Sequence, residues 1–287
     1  MGIKKKERSR NLAAGRPPTL QRPKSISRKA TKALINSHHI LGKRKAQALA
    51  KGNHAEVAAI NAEISALGGL ERYQQASLQG QRIDRGGDSS RVLMEWLNPV
   101  QSMLKDLPNG PLRMLEVGAL STTNQCSKSG VFAMHRIDLN SQGEGILQQD
   151  FMERPLPKDD SERIDIISLS LVLNFVPDAH VRGRMLQRTL EFLKEPNRHA
   201  NPELNEFFPS LFLVLPAPCV TNSRYMDETR LEAIMVALGY VKVKSKMTQR
   251  LVYYLWAKKT AACDTAFAKT QVRTGTARNN FSIVLRV

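Results

Sequence analysis

Apolar residues first recur with helical spacing at Leu34, Ile35, Ile40 and Leu41, after Ser27, and that run stops at Gly52-Asn53. A second helical run, Val57, Ile60, Ile64 and Leu67, ends at Gly68-Gly69, and a short helix is expected over Leu70 to Leu78. Gly86-Gly87 then makes a turn before Asp88, a suitable N-cap for a helix with the buried stripe Val92, Leu93, Trp96 and Leu97. A Gly-Gly turn feeding a helix also exposes N–H groups that attract anions.

From Leu112 onward, strand and helix patterns alternate. Strands are expected over 112–117, 133–139, 145–151, 164–173 and 210–215, helices over 179–194 and 227–238, and β-rich segments over 240–246, 251–259 and 279–287. The run "IDIISLSLVL" reads as a central strand buried on both faces. Alternation of this kind predicts an α/β fold with a mostly parallel sheet and helices on both faces. The predicted organisation is a basic disordered tail over 1–28, a helical accessory region over 29–87 and the α/β domain over 88–287.

Charge adds a partner to this picture. Residues 1–52 hold 15 Lys and Arg against one acid, Glu7, and residues 241–287 hold 10 against Asp264. The middle of the chain, 53–240, holds 18 basic and 24 acidic residues. Two basic ends around an acidic centre suit a polyanion, because phosphate contacts release condensed counterions. Nucleic acid is preferred to a membrane surface: the tail has no Trp/Phe/Leu face, and Lys6 stands where myristoylation wants Ser or Thr. The same basic run suits nuclear import.

No apolar stretch approaches the ~18 residues of a membrane helix. Cys126, Cys219 and Cys263 are odd in number and far apart, and His38, His39, His180 and His199 lack ligand spacing, so neither a disulfide framework nor a metal site is expected. A soluble, intracellular protein follows.

Candidate chemistry lies at the strand ends, since open α/β sheets bind ligands outside the carboxyl ends of their strands. The first strand ends at Glu116-Val117-Gly118, the second at Asp138, the third at Asp150, and the fourth runs into Asn174-Phe175-Val176-Pro177. Asp138 follows Gly118 by 20 residues, the spacing at which a carboxylate meets a nucleotide's ribose hydroxyls. Gly118 would let the backbone approach a ligand, Asp150 could accept from an adenine amino group, and Glu116 could face an ammonium. A pyrophosphate would need a glycine-rich turn, but "LEVGALSTTN" has one glycine, and no phosphate-binding G-x-x-x-x-G-K-[ST] occurs. S-adenosyl-L-methionine has no phosphate and carries cationic groups that welcome carboxylates.

The linked motifs "YQQASLQGQRIDRGGDSS", "LEVGALSTTN", "HRIDLNS", "QQDFMERP", "DIISLSLVLNFVPDAHVRGRML" and "LFLVLPAPC" resemble the fungal 25S ribosomal-RNA adenine-N1 methyltransferase family over residues 70–287. The resemblance implies a class I, Rossmann-like fold, cofactor contacts at Gly118 and Asp138, and methylation of N1 of an adenine in large-subunit rRNA or a pre-ribosomal particle, in the nucleus and nucleolus. Animal relatives of that family are S-adenosylmethionine sensors of the TOR pathway, so a sensor acting by protein contact is the alternative. By analogy with the Asn/Asp-Pro-Pro-aromatic loop of amino-methylating enzymes, Asn174 would position the adenine and Phe175 would either stack on it or serve as core. Arg184 and Arg188 read as a solvated helix face, and Lys242, Lys244 and Lys246, extended by Arg250, Lys258 and Lys259, as a basic stripe for RNA.

Overall fold

The computed structural model describes residues 28–69, 88–141, 143–197 and 199–286. The expected basic tail up to residue 27, the short helix over Leu70 to Leu78 and the Gly86-Gly87 turn lie outside the described residues.

Helices α1 (Arg28–Ala50) and α2 (His54–Ala66) pack on each other around the buried Leu41, Ala48 and Ile60, with Val57, Ile64 and Leu67 against them. Asn53 forms the break between them. Its side chain accepts from Glu56 N at 3.1 Å and donates to the Glu56 carboxylate at 3.1 Å, a reciprocal cap that fixes where α2 begins.

The rest is a three-layer α/β/α unit. Helix α3 (Ser90–Leu97), a 3₁₀ turn (Asn98–Val100) and α4 (Gln101–Lys105) precede β1 (Leu112–Val117). Then come α5 (Gln125–Lys128), β2 (Phe132–Asp138), β3 (Leu147–Gln148), β4 (Ile166–Ser170), α6 (Ala179–Phe192) and α7 (Pro202–Phe207). The chain continues with β5 (Ser210–Pro216), α8 (Pro218–Thr221), α9 (Glu228–Ala237), β6 (Tyr240–Met247) and β7 (Leu251–Lys258). The seven strands lie in the order β3-β2-β1-β4-β5-β7-β6. The first five are mutually parallel, and β7 runs antiparallel to both β5 and β6.

Strand periodicity splits the apolar residues between two cores. Leu115, Val117, Ile167, Leu169, Leu211, Leu213 and Trp256 face α6 and α9. Met114, Ile166, Phe212, Val214 and Leu255 face α3 and α7. Burying both faces requires apolar residues at consecutive positions, which is why β4 and β5 are nearly uninterrupted in sequence.

Three sequence expectations need correction. The third strand is two residues long, so Asp150 stands in the loop beyond it. The fourth ends at Ser170 rather than at residue 173, because Leu171 takes a left-handed φ of +58° that leaves the β ladder. The stretch 279–287 forms no named strand among its described residues and makes only isolated bridges, at Asn279 and Leu285. It lies along α6 instead, burying Ile283, Val284 and Leu285. Gly183 makes this approach possible, since a Cβ there would overlap the Val284 carbonyl oxygen. The buried Arg182 donates to the Ser282 carbonyl at 2.6 Å and lies 4.6 Å from the Phe281 ring centre.

Candidate active site

Strand order reverses between β1 and β4, and the loops at their carboxyl ends form the crevice where such sheets bind ligands. Gly118 ends β1 with φ at +72°, and the N–H groups of Gly118 and Ala119 both donate to the Ile137 carbonyl, at 2.8 and 3.1 Å. A Cβ on Gly118 would stand 2.7 Å from Val172 Cγ2. Conformation and space therefore both demand glycine.

Beyond it, Ser121 and Thr123 bond each other through their hydroxyls at 2.9 Å. Asn124 has two tasks. Its oxygen caps α5 by accepting from Ser127 N at 2.9 Å, and its amide nitrogen donates to both Glu116 oxygens at 2.8 and 3.0 Å. One side chain thus ties the turn to the strand it leaves.

Glu116 shares the α3-facing side of β1 with Met114, one residue out of phase with the other core. Burial pushes its carboxyl up to about 7, against the pull of Asn124 and Arg136 and with a further push from Asp88. Asp138 ends β2, with one oxygen accepting from Asn140 N at 2.8 Å and no bond to the other among the described residues. Its carboxyl lies above the usual range, chiefly through desolvation. Asp150 accepts from Met152 N at 2.7 Å.

The loop after Asp150 is held from α6: Arg188 donates to the carbonyls of Phe151, at 2.9 Å, and Arg154. Arg188 is therefore a brace and not part of a solvated face, while Arg184 is exposed.

Asn174 follows β4, and its Oδ1 is buried without a hydrogen-bond partner among the described residues. A buried acceptor left unpaired is costly, so a donor offered to it by a ligand would be favoured. The loop carrying it is braced by Arg182, which donates to the Val176 carbonyl at 2.9 Å, and by Asp178, which caps α6 through the N–H groups of His180 and Val181. Phe175 is half-buried. Leu171, three residues before Asn174, holds its left-handed backbone at the same edge, a conformation that costs a bulky residue of order 1–3 kcal/mol.

The segment before α3 supplies residues that periodicity did not disclose. Ser89, not Asp88, occupies the N-cap position. Asp88 bridges instead, accepting from Ser90 N at 2.9 Å and from Gln125 N at 2.6 Å. Ser89 meets Ser170 hydroxyl to hydroxyl at 2.8 Å, and Ser90 accepts from Cys126 N at 3.2 Å. The start of α3 therefore joins the Gly118 turn to the end of β4. The only signal for this in the sequence was the "GGDSS" motif.

The lysines of β6 do not form one stripe. A bulge between Lys242 and Lys244 sets Lys242 opposite Trp256, and Lys244 and Lys246 opposite Leu255 and Tyr253 on the other face. Lys242 pairs with Glu232 at 2.7 Å and Lys246 with Glu95 at 3.1 Å, while Lys244 is exposed. A concavity of about 600 Å³ that includes Asp165, Lys194 and His199 lies at the amino ends of β1 and β4, across the sheet from the crevice.

This strand order with a reversed β7, together with a one-glycine turn at the carboxyl end of β1, defines a class I, Rossmann-like methyltransferase fold. The family model described as "25S rRNA (adenine(2142)-N(1))-methyltransferase, Bmt2" matches residues 58–283, and the chain belongs to that family. The 25S rRNA adenine-N(1) methyltransferase of Schizosaccharomyces pombe is 38% identical over 254 residues, covering 87% of this chain and 89% of the relative. The 25S rRNA (adenine(2142)-N(1))-methyltransferase of Saccharomyces cerevisiae is 39% identical over 226 residues, covering 78% of this chain and 62% of that longer protein.

Among solved structures, a 1,6-didemethyltoxoflavin-N1-methyltransferase of Burkholderia thailandensis with bound S-adenosylhomocysteine is 12% identical, with TM-score 0.39 over 65% of this chain and 87% of that one. The 16S rRNA methylase RmtB is 13% identical, with TM-score 0.37 over 82% of this chain and 76% of that one.

Proposed function

We propose that this protein is an S-adenosyl-L-methionine-dependent methyltransferase acting on N1 of an adenine in large-subunit rRNA. Its family membership supports the reaction, and one structural observation carries the site: the Gly118 turn closed against Val172, with the unpartnered Asn174 oxygen two residues beyond. The site fits the cofactor, because Gly118 brings bare backbone to its edge and its carboxylates suit a cationic, phosphate-free nucleoside. Asp138 would hold the ribose hydroxyls, Asp150 the cofactor's adenine amino group and Glu116 the ammonium. When bound, the cofactor supplies an electrophilic sulfonium methyl.

The chain's own residues then have a positioning task. N1 of adenine has a free lone pair, takes up the methyl together with its positive charge, and has no proton to lose, so no general base is needed. Asn174 Oδ1 would accept from the target's exocyclic amine, satisfying the buried oxygen and leaving N1 bare and aimed. Because N1 lies on the Watson–Crick edge, the adenine must be unpaired or flipped out.

The protein would act on rRNA or a pre-ribosomal particle in the nucleus and nucleolus, a reading supported by the basic residues 1–52. Those charges also favour the enzyme over a cofactor sensor that works by protein contact, which has little use for them. A transfer assay with labelled cofactor and unmodified large-subunit rRNA separates the two. Transfer to adenine N1 is expected, with Asn174→Ala lowering kcat about a hundredfold and sparing cofactor affinity; tight cofactor binding without transfer would favour the sensor.

A further inference from the structure

Positive charge is distributed unevenly between paired and unpaired groups. On the β6–β7 hairpin, Lys242, Lys246 and Lys258 each have a carboxylate partner, at 2.7, 3.1 and 3.0 Å, so half of that stripe is neutralised. Residues 265–286 contain Lys269, Arg273, Arg278 and Arg286 and not one Asp or Glu. Three guanidinium groups collect where this segment crosses the chain beyond α8, and their partners among the described residues are neutral. Arg224 donates to Asn280 Oδ1 at 2.6 Å and the Gly275 carbonyl at 3.0 Å. Arg273 donates to the carbonyls of Ser223 and Met226 at 3.1 and 2.8 Å. Arg278 donates to the Thr274 carbonyl and to Asn222 Oδ1. Lys269 sits 4.3 Å from the Tyr225 ring centre.

Neutral acceptors orient these cations without cancelling their charge. A guanidinium has five N–H donors, and each of these three spends only part of its set on the protein. Arg273, Thr274 and Arg278 also line a shallow recess with Gln271 and Val272.

Topology places the cluster. Arg224 follows α8, which leaves the carboxyl end of β5, and backbone bonds from Arg224 N to Asn279 O and from Val272 N to Arg224 O, both 2.9 Å, fasten the segment there. β5 is parallel to β4, so this is the sheet edge that carries Asn174. Arg182 links the two directly by holding both the Ser282 carbonyl and the Val176 carbonyl. In the order β3-β2-β1-β4-β5, the carboxylates Asp150 and Asp138 lie on one side of the β1–β4 crevice and these cations, without a carboxylate partner among the described residues, on the other.

We infer that Arg224, Arg273, Arg278 and Lys269 form the surface that binds the phosphate backbone flanking the target adenine. The inference rests on the proposed rRNA reaction and assigns that site's nucleic-acid side. Planar arginine forks held in place suit phosphate oxygens, and contacts of this kind position a strand without reading its sequence.

The test is equilibrium binding of in vitro transcribed large-subunit rRNA across a salt series, alongside cofactor calorimetry and methyl transfer. The Arg224→Gln/Lys269→Gln/Arg278→Gln variant should lose at least about tenfold in RNA affinity and about two to three from its log–log salt slope, with cofactor affinity unchanged. Lys269→Glu alone, at an exposed residue, guards against misfolding of the triple variant and should lower the slope by about one or more. Arg224→Lys/Arg278→Lys should keep most of the slope. Lys242→Gln/Lys246→Gln should change it little, since those charges are paired.

An unchanged slope in both the triple variant and Lys269→Glu would overturn the inference, even if wild type transfers methyl. Reduced RNA binding in a protein that transfers no methyl would uphold the surface and sink the reaction. Loss of binding to anionic phospholipid vesicles, with RNA binding intact, would also overturn it.

Discussion

Glu116→Gln should stabilise the protein in alkali and weaken it as a cofactor binder. The wild-type carboxyl is raised from 4.5 to about 7 by burial, so the folded state holds this proton more tightly than the unfolded chain does. Stability then falls as pH rises between those values, because the native state binds more protons than the unfolded state throughout that window. Full ionisation above pH 7 corresponds to at most ~3 kcal/mol.

Glutamine removes that penalty but offers Asn124 one acceptor where the carboxylate offers two, so about 1 kcal/mol is returned. The expected net gain at pH 8 is about 1–2 kcal/mol, or roughly 2–8 °C in Tm for a domain of this size. At pH 5, where the wild-type group is protonated in the fold, the gain should vanish or reverse. Calorimetric melting of both proteins from pH 5 to 8.5 reads this directly. Melting curves that keep a constant separation over the whole range would refute the assignment of a buried, charge-penalised Glu116. Cofactor affinity in the wild type should rise as pH passes 7 and be flatter in the variant.

Other expectations are simpler to read. Asp138→Ala should cost cofactor affinity about 10- to 100-fold by calorimetry, from charge-assisted hydrogen bonds lost to the diol, with Tm nearly unchanged. Gly118→Arg should abolish binding, and Gly118→Ala should already cost ~1–2 kcal/mol of stability through its left-handed backbone; normal binding by Gly118→Arg would remove this turn from the site. Gly183→Ala should displace the Val284 carbonyl, cost ~1–3 kcal/mol and open the last residues to limited proteolysis. Unchanged cleavage there would show that the segment does not need the close approach.

Most of the sheet was legible because burial on both faces leaves long apolar runs, and β1, β5, β6 and β7 fall within a residue of the expected bounds. Where periodicity misled, a tertiary cause is visible. Apolar Leu171 to Leu173 continue the pattern of β4, but the left-handed Leu171 turns the chain towards the crevice. The alternation of 279–287 looks like a strand, yet its apolar residues pack on α6, where Gly183 admits the backbone.

Within the site, Gly118, Asp138, Glu116 and Asn174 could be named because strand ends are fixed by the strands. The bridging roles of Asp88, Ser89 and Ser90 could not be read, since hydrogen bonds between segments 36 or more residues apart leave no local pattern. The β6 lysines looked like a stripe because a bulge is invisible to spacing rules, and their partners Glu232 and Glu95 sit on the helices α9 and α3.

The central claim is methylation of adenine N1 in large-subunit rRNA, and mapping N1-methyladenosine in that rRNA with and without this protein tests it most directly. Loss of the mark at one adenine, restored by the wild type and not by Asp138→Ala, is the predicted result. An identical set of marks in both conditions, from cells whose protein binds the cofactor normally, would contradict the account.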